Sequence, residues 1–141
     1  MTINTKHFGE LEISEDQIII FDEGLPGFPE DKKFVLLDNE EPFYWLQSAD
    51  DGNNAFILAD VFSILPDYNP QVDRDDMFPL GEYNPDDFLI YNIVVLPDNV
   101  EDMTVNLLAP VVINQASKKG RQIIAKNEEY GVKHYMLKPR G

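Results

Sequence analysis

Carboxylates dominate the side chains able to do chemistry. The chain of 141 residues holds 26 Asp and Glu, two His and no Cys. Without cysteine there is no thiol nucleophile, disulfide or cysteine-ligated zinc. His7 and His134 do not fall in a ligand spacing such as His-x-x-x-His, and each reads as a surface histidine. Ser14, Ser48, Ser63 and Ser117 are the only serines, and none lies in a Gly-x-Ser-x-Gly turn. Phosphate-cradling glycine motifs are absent too. Asp73-Arg74-Asp75-Asp76 and Asp50-Asp51-Gly52-Asn53-Asn54 offer oxygens to calcium, but neither has the ligand spacing of an EF-hand loop. Paired carboxylates can also run glycoside hydrolysis as acid and base. Among 26 acids some pair always exists, so that signal carries little. The expectation is a protein that is not an enzyme and takes no metal or cofactor.

The acids do form a pattern along the chain. Residues 1–102 carry 24 acids against 4 basic residues, a net of −20. Residues 103–141 carry 2 acids against 7 basic residues, a net of +5. The acidic part repels nucleic acid, whose binding needs a basic surface. It attracts basic partners and speeds their encounter, or serves only solubility. The Lys118-Lys119-Arg121 patch either balances local charge or pairs with the acidic part of the same fold.

Short strands must position these groups. Apolar residues make up 43% of the chain, enough for one domain over residues 1–141. The patterning predicts strands over Thr2–Phe8, Leu11–Ile13, Asp16–Phe21, Phe34–Leu37, Phe43–Ser48, Ala55–Asp60, Phe88–Leu96, Met103–Leu108, Val111–Ile113 and Arg121–Lys126. The Pro-rich stretch 66–87 is irregular, with a short helical turn near Asp73–Leu80. The tail from Tyr130 is weakly patterned. No segment keeps helical amphipathicity for a dozen residues. The predicted class is all-β, a small antiparallel β-barrel or sandwich with at most short helical turns. Neither a signal peptide nor a spanning stretch is evident, so a cytoplasmic protein off the membrane is expected.

Two apolar elements are candidates for partner contact. Gly24-Leu25-Pro26-Gly27-Phe28-Pro29 is a rigid turn that either presents Leu25 and Phe28 or closes the core with them. In Phe43-Tyr44-Trp45, Tyr44 points to one face of its strand and its neighbours to the other.

Several segments, in this order, resemble the FliW family of flagellar assembly factors. They are Phe21-Asp22-Glu23-Gly24-Leu25-Pro26-Gly27-Phe28, Phe34-Val35-Leu36-Leu37, and Phe43 to Ser48 followed by Ala55-Phe56. Asn106-Leu107-Leu108-Ala109-Pro110-Val111-Val112-Ile113-Asn114 then leads into Gly120-Arg121-Gln122 and Tyr130, and the Thr5-Lys6 to Gly9 hairpin also fits. The resemblance implies a cytoplasmic binder of flagellin that also binds the RNA-binding translational repressor CsrA. Accumulated flagellin occupies such a protein and leaves CsrA free to block flagellin translation. After export the released protein captures CsrA. The implied partners are thus flagellin and CsrA, with no direct nucleic acid contact and a monomer on its own.

On that basis the dense acids Asp73, Asp75, Asp76, Glu82, Asp86 and Asp87 are the candidate CsrA site. Leu25, Phe28, Tyr44 and Trp45 are the candidate flagellin site. The alternative is a generic acidic mimic of nucleic acid that sequesters basic proteins, and a third class is a carboxylate enzyme with a calcium site.

Overall fold

The computed structural model describes residues 1–82 and 84–137. Its strands are β1 (Thr2–Thr5), β2 (Gly9–Glu12), β3 (Ile18–Ile20), β4 (Lys33–Asp38), β5 (Phe43–Ser48) and β6 (Ala55–Ala59). They continue with β7 (Phe88–Val95), β8 (Thr104–Val105), β9 (Val111–Asn114), β10 (Lys119–Gln122) and β11 (His134–Tyr135). The one α-helix among the described residues, α1, spans Arg74–Met77 and runs into a 3-10 turn at Phe78–Leu80. The helical turn predicted near Asp73–Leu80 therefore forms.

Seven strands close into a barrel in the order β7-β6-β5-β4-β3-β10-β9, with β9 returning to β7. Of the two architectures the patterning allowed, the chain adopts the barrel. All its pairings are antiparallel except β3 with β10, where Lys119 lies opposite Ile20. An odd number of strands cannot alternate direction all the way round a ring, so one parallel junction is unavoidable. Closure also leaves no free edge among these strands. The long β7 makes it possible, because Phe88–Tyr91 pair with β9 while Asn92–Val94 pair with β6.

Alternation along the strands fills the interior. Phe34, Leu46, Leu58, Tyr91, Val111 and Ile113 point inward around Phe21. Gly120 faces Phe21, and a Cβ there would stand 2.4 Å from its ring. Outward-facing apolar residues are covered in three places. The β1–β2 hairpin lies over Val35. Val61, Tyr68 and β8 cover Ala59 and Val94. The stretch carrying Val72, Met77 and Leu80 covers Val112.

Several strands are shorter than the patterning suggests. The last predicted strand, Arg121–Lys126, is replaced by β10 at Lys119–Gln122, since its antiparallel partner β9 begins only at Val111, opposite Gln122. Ile123 is then buried and Ile124 is 69% exposed. Met103–Leu108 shrinks to β8: Asn106 N still donates to Ile93 O at 2.9 Å, but its Oδ1 accepts from Ala109 N at 3.0 Å and the chain turns there. β11 comes from the tail that patterning leaves blank, and it exists only by pairing with β8. No described helix is long and apolar enough to cross a membrane.

Candidate partner surfaces

The Gly24–Pro29 turn is built by short-range hydrogen bonds. Gly24 N donates to Phe21 O at 2.9 Å, and Phe28 N donates to Leu25 O at 2.8 Å. Gly24 sits at φ +66, and a Cβ there would lie 2.5 Å from Phe28 O, so only glycine fits. The turn sends its two apolar residues different ways. Leu25 is 2% exposed and belongs to the barrel core. Phe28 is 38% exposed and packs edge-on to Phe56 at 5.4 Å.

Tyr44 and Trp45 also part company. Tyr44 faces inward and stacks on Tyr91 at 4.5 Å. Burial raises the Tyr91 phenol, and its bond to Tyr44 and the nearby Asp60 and Asp38 raise it further. Trp45 faces outward, stacked by His7 at 5.5 Å and met edge-on by Phe8 at 5.3 Å. The four residues of the candidate flagellin site thus occupy separate places. Leu25 is corrected from a contact residue to a core residue: it holds the turn that displays Phe28.

The acidic stretch is better assembled. Asp73 precedes α1, and its Oδ1 lies 2.6 Å from Lys126 Nζ. Asp73 raises the Lys126 pKa by its hydrogen bond and charge. Arg121 reaches the same segment: Nη1 donates to Asp76 O at 2.7 Å and stands 3.8 Å from Asp76 Oδ1. Its Nη2 lies 2.7 Å from Glu23 Oε1. Within the Lys118-Lys119-Arg121 patch, then, Arg121 pairs with acids of the same fold. Leu80 O accepts from Asn114 Nδ2 at 2.9 Å and from Ser117 Oγ at 2.6 Å, fixing the end of the segment. Asp86 and Asp87 sit in a 3-10 turn opened by Asn84, whose side chain accepts from Asp86 N at 3.2 Å. Asp87 O accepts from Gln115 N at 2.8 Å.

Of the six acids, Asp73 and Asp76 are therefore committed within the chain. Asp75, Glu82, Asp86 and Asp87 take part in no salt bridge among the described residues. What sequence reasoning missed here is apolar. The same segment runs beside a groove floored by Phe88, Ile90 and Val112, with Phe78 standing 82% exposed at its wall. An aromatic between Met77 and Pro79 was the available signal.

The other acidic motif is turned on the backbone. Asp50 Oδ2 accepts from Lys32 N at 2.6 Å and from Lys33 N at 2.9 Å, and Asp51 Oδ1 accepts from Asn53 N at 3.0 Å. No cluster of three or more His, Asp or Glu is placed to hold a metal among the described residues.

Comparison with known proteins agrees over the whole chain. The FliW protein family model matches residues 2–136. The flagellar assembly factor FliW of Alkaliphilus metalliredigens is 41% identical, covering 97% of this chain and 86% of its own. That of Thermoanaerobacter pseudethanolicus is 43% identical, covering 97% and 93%. A crystal structure of the flagellar assembly factor FliW superposes with a TM-score of 0.91 at 38% identity, covering 100% of both chains. The chain therefore belongs to the FliW family of flagellar assembly factors.

Proposed function

We propose that the protein binds flagellin in the cytoplasm and, when released from it, binds and antagonises the translational repressor CsrA. Flagellin made faster than it is exported occupies the protein and leaves CsrA on flagellin messenger RNA. Export frees the protein to capture CsrA and restore translation. Membership of a flagellar assembly family supports the flagellar half of this scheme.

The observation that carries the CsrA half is electrostatic. Asp75, Glu82, Asp86 and Asp87 are left without salt bridges among the described residues, on a chain with a net charge of −15. An RNA-binding repressor needs a basic surface. A carboxylate-rich partner attracts that surface and repels phosphate from it. Asp73 and Asp76, held by Lys126 and Arg121, shape the segment and contribute less to the attraction. For flagellin, the exposed part of Phe28 and the outward-facing Trp45 supply apolar contact, with Leu25 and the inward-facing Tyr44 as support from beneath. The protein acts as a monomer and performs no catalysis.

Affinity capture from a lysate of flagellated cells tests the scheme, followed by calorimetry of each purified pair. Flagellin and CsrA are expected as the principal partners. CsrA affinity should fall steeply between low and physiological salt, because exposed charges are screened over about 10 Å at 0.1 M. A broad set of basic proteins without flagellin would instead identify a generic nucleic-acid mimic. A flat salt dependence would remove the acidic segment from the CsrA interface.

A further inference from the structure

Trp45 points away from the barrel, yet its outer face is not open. His7 stacks on the indole at 5.5 Å and 27°, and Phe8 meets it edge-on at 5.3 Å. Both rings come from the tip of the β1–β2 hairpin, where the chain turns between Thr5 and Gly9. The indole is half-buried beneath them, and His7 above it is exposed.

The tip is held lightly. Strands β1 and β2 form a sheet of their own, outside the barrel's ladder. Among the described residues a single hydrogen bond joins the hairpin to the barrel, from Lys6 N to Gly52 O at 3.0 Å. The base of the hairpin is anchored by Ile3 of β1 and by Ile13 just after β2, both buried against Val35. The tip has no buried anchor. Thr5 Oγ1 accepts from Phe8 N and donates to Gly9 O, each at 2.8 Å, so these bonds stay intact when the tip moves as a unit. A two-stranded hairpin is marginal by itself, and segments with few buried apolar contacts open below the free energy of global unfolding. Lifting the tip costs one hydrogen bond and two ring contacts, while the base and the barrel keep theirs.

A partner that rests on the indole needs the space that His7 and Phe8 occupy. Tip and partner are therefore competitors for one apolar surface. An intramolecular competitor lowers the apparent affinity by the fraction of molecules in which the surface is free. Two aromatic contacts and one exposed hydrogen bond hold that fraction on the order of one in ten.

We propose that the hairpin tip is an autoinhibitory cover over Trp45, displaced when a partner takes the indole. This rests on the reading of Trp45 as a flagellin contact, and it adds that the contact is masked in the free protein.

Purified flagellin monomer is titrated by calorimetry against the full chain and three variants of it. One carries His7→Ser with Phe8→Ser, which uncovers the indole. One carries His7→Phe, which keeps a ring there. The third adds Trp45→Leu to the uncovered variant, where it alters only the partner's contact. His7 is exposed and Phe8 half-buried, and neither belongs to a core cluster, so the fold is spared. Amide exchange of the parent chain is followed with and without flagellin.

Uncovering the indole should tighten flagellin binding about tenfold. His7→Phe should stay within about threefold of the parent, and Trp45→Leu should weaken the uncovered variant about tenfold. The Lys6 amide, bonded to Gly52 O in the free chain, should exchange faster in the complex, where a contact surface would exchange more slowly. If Trp45→Leu weakens binding but the uncovered variant binds no tighter than the parent, the cover is overturned and the Trp45 site stands. A Lys6 amide that gains protection in the complex has the same meaning, because the tip is then part of the contact. If Trp45→Leu changes nothing, the indole is no flagellin contact, and the site and its cover fall together.

Discussion

Arg121 Nη2 and Glu23 Oε1 lie 2.7 Å apart although 98 residues separate them in the chain. The same guanidinium donates to Asp76 O at 2.7 Å, so one side chain ties the turn after β3 to helix α1 across β10. The two bonds differ in worth. Glu23 is 66% exposed, and an exposed ion pair contributes about 0.2–1 kcal/mol. A charged donor to a carbonyl in a partly buried place contributes about 1.5–3 kcal/mol. Arg121→Ala should therefore cost about 2 kcal/mol by urea denaturation, and Glu23→Gln less than about 1 kcal/mol. Equal losses would mean that the ion pair, not the bond to the segment, is the fastening.

The gap of 98 residues also shows where reading the chain stopped. Alternation revealed the barrel strands, because each inward face had to be apolar: Phe34, Leu46 and Leu58 come straight from the pattern. The Gly24–Pro29 turn was visible because its chemistry is local. Arg121 showed only as part of a basic patch, since nothing nearby names a carboxylate so far away. Leu25 and Phe28 looked equivalent as turn residues, yet one faces the core and the other solvent. β11 was invisible because a two-residue strand has no period, and its stability comes from β8. The groove under Phe78 lay hidden because its floor and wall come from segments apart in sequence.

Gly120 is set by space, not by backbone conformation. A Cβ would meet the Phe21 ring at 2.4 Å, and Phe21 is fully buried among Phe34 and its neighbours. Gly120→Ala should cost about 1–3 kcal/mol through overpacking. Phe21→Leu, which opens a void of its own, should relieve part of that loss in the double variant. A double-mutant cycle with no coupling between the two sites would show that the ring is not the obstacle.

Tyr68 makes stability sensitive to alkaline pH. Its hydroxyl donates to Leu107 O at 2.7 Å and accepts from Asn92 Nδ2 at 2.9 Å. Burial pushes the phenol from its ordinary 10.0 up to about 12, against a smaller lowering by Asn92. Below pH 10 the phenol is neutral in both folded and unfolded chains, and its stabilising contribution is complete. As pH rises through that value the unfolded chain releases a proton that the folded chain keeps. Stability should then fall until about pH 12, with a slope approaching ~1.4 kcal/mol per pH unit from this one group. Buried Tyr91, also raised, adds to the slope. Tyr68→Phe should lower stability at pH 8 by about 1–3 kcal/mol, since it removes a buried hydrogen bond, and should flatten the alkaline decline. An unchanged decline would place its source elsewhere.

Under the proposed function, Leu25 and Phe28 should separate folding from flagellin binding within one turn. Leu25 is 2% exposed, so Leu25→Ala leaves a cavity and should cost about 2–5 kcal/mol. Phe28 is 38% exposed and packs edge-on against Phe56, so Phe28→Ala should cost about 1–2 kcal/mol. Affinity for flagellin, measured by calorimetry at a temperature where both variants are folded, should show the reverse order. Phe28→Ala removes the contact itself and should weaken binding about tenfold. Leu25→Ala leaves Phe28 present on a loosened turn and should weaken it by a smaller factor. If Phe28→Ala binds flagellin as the parent does, the turn is a structural closure of the barrel and the apolar contact lies on another face.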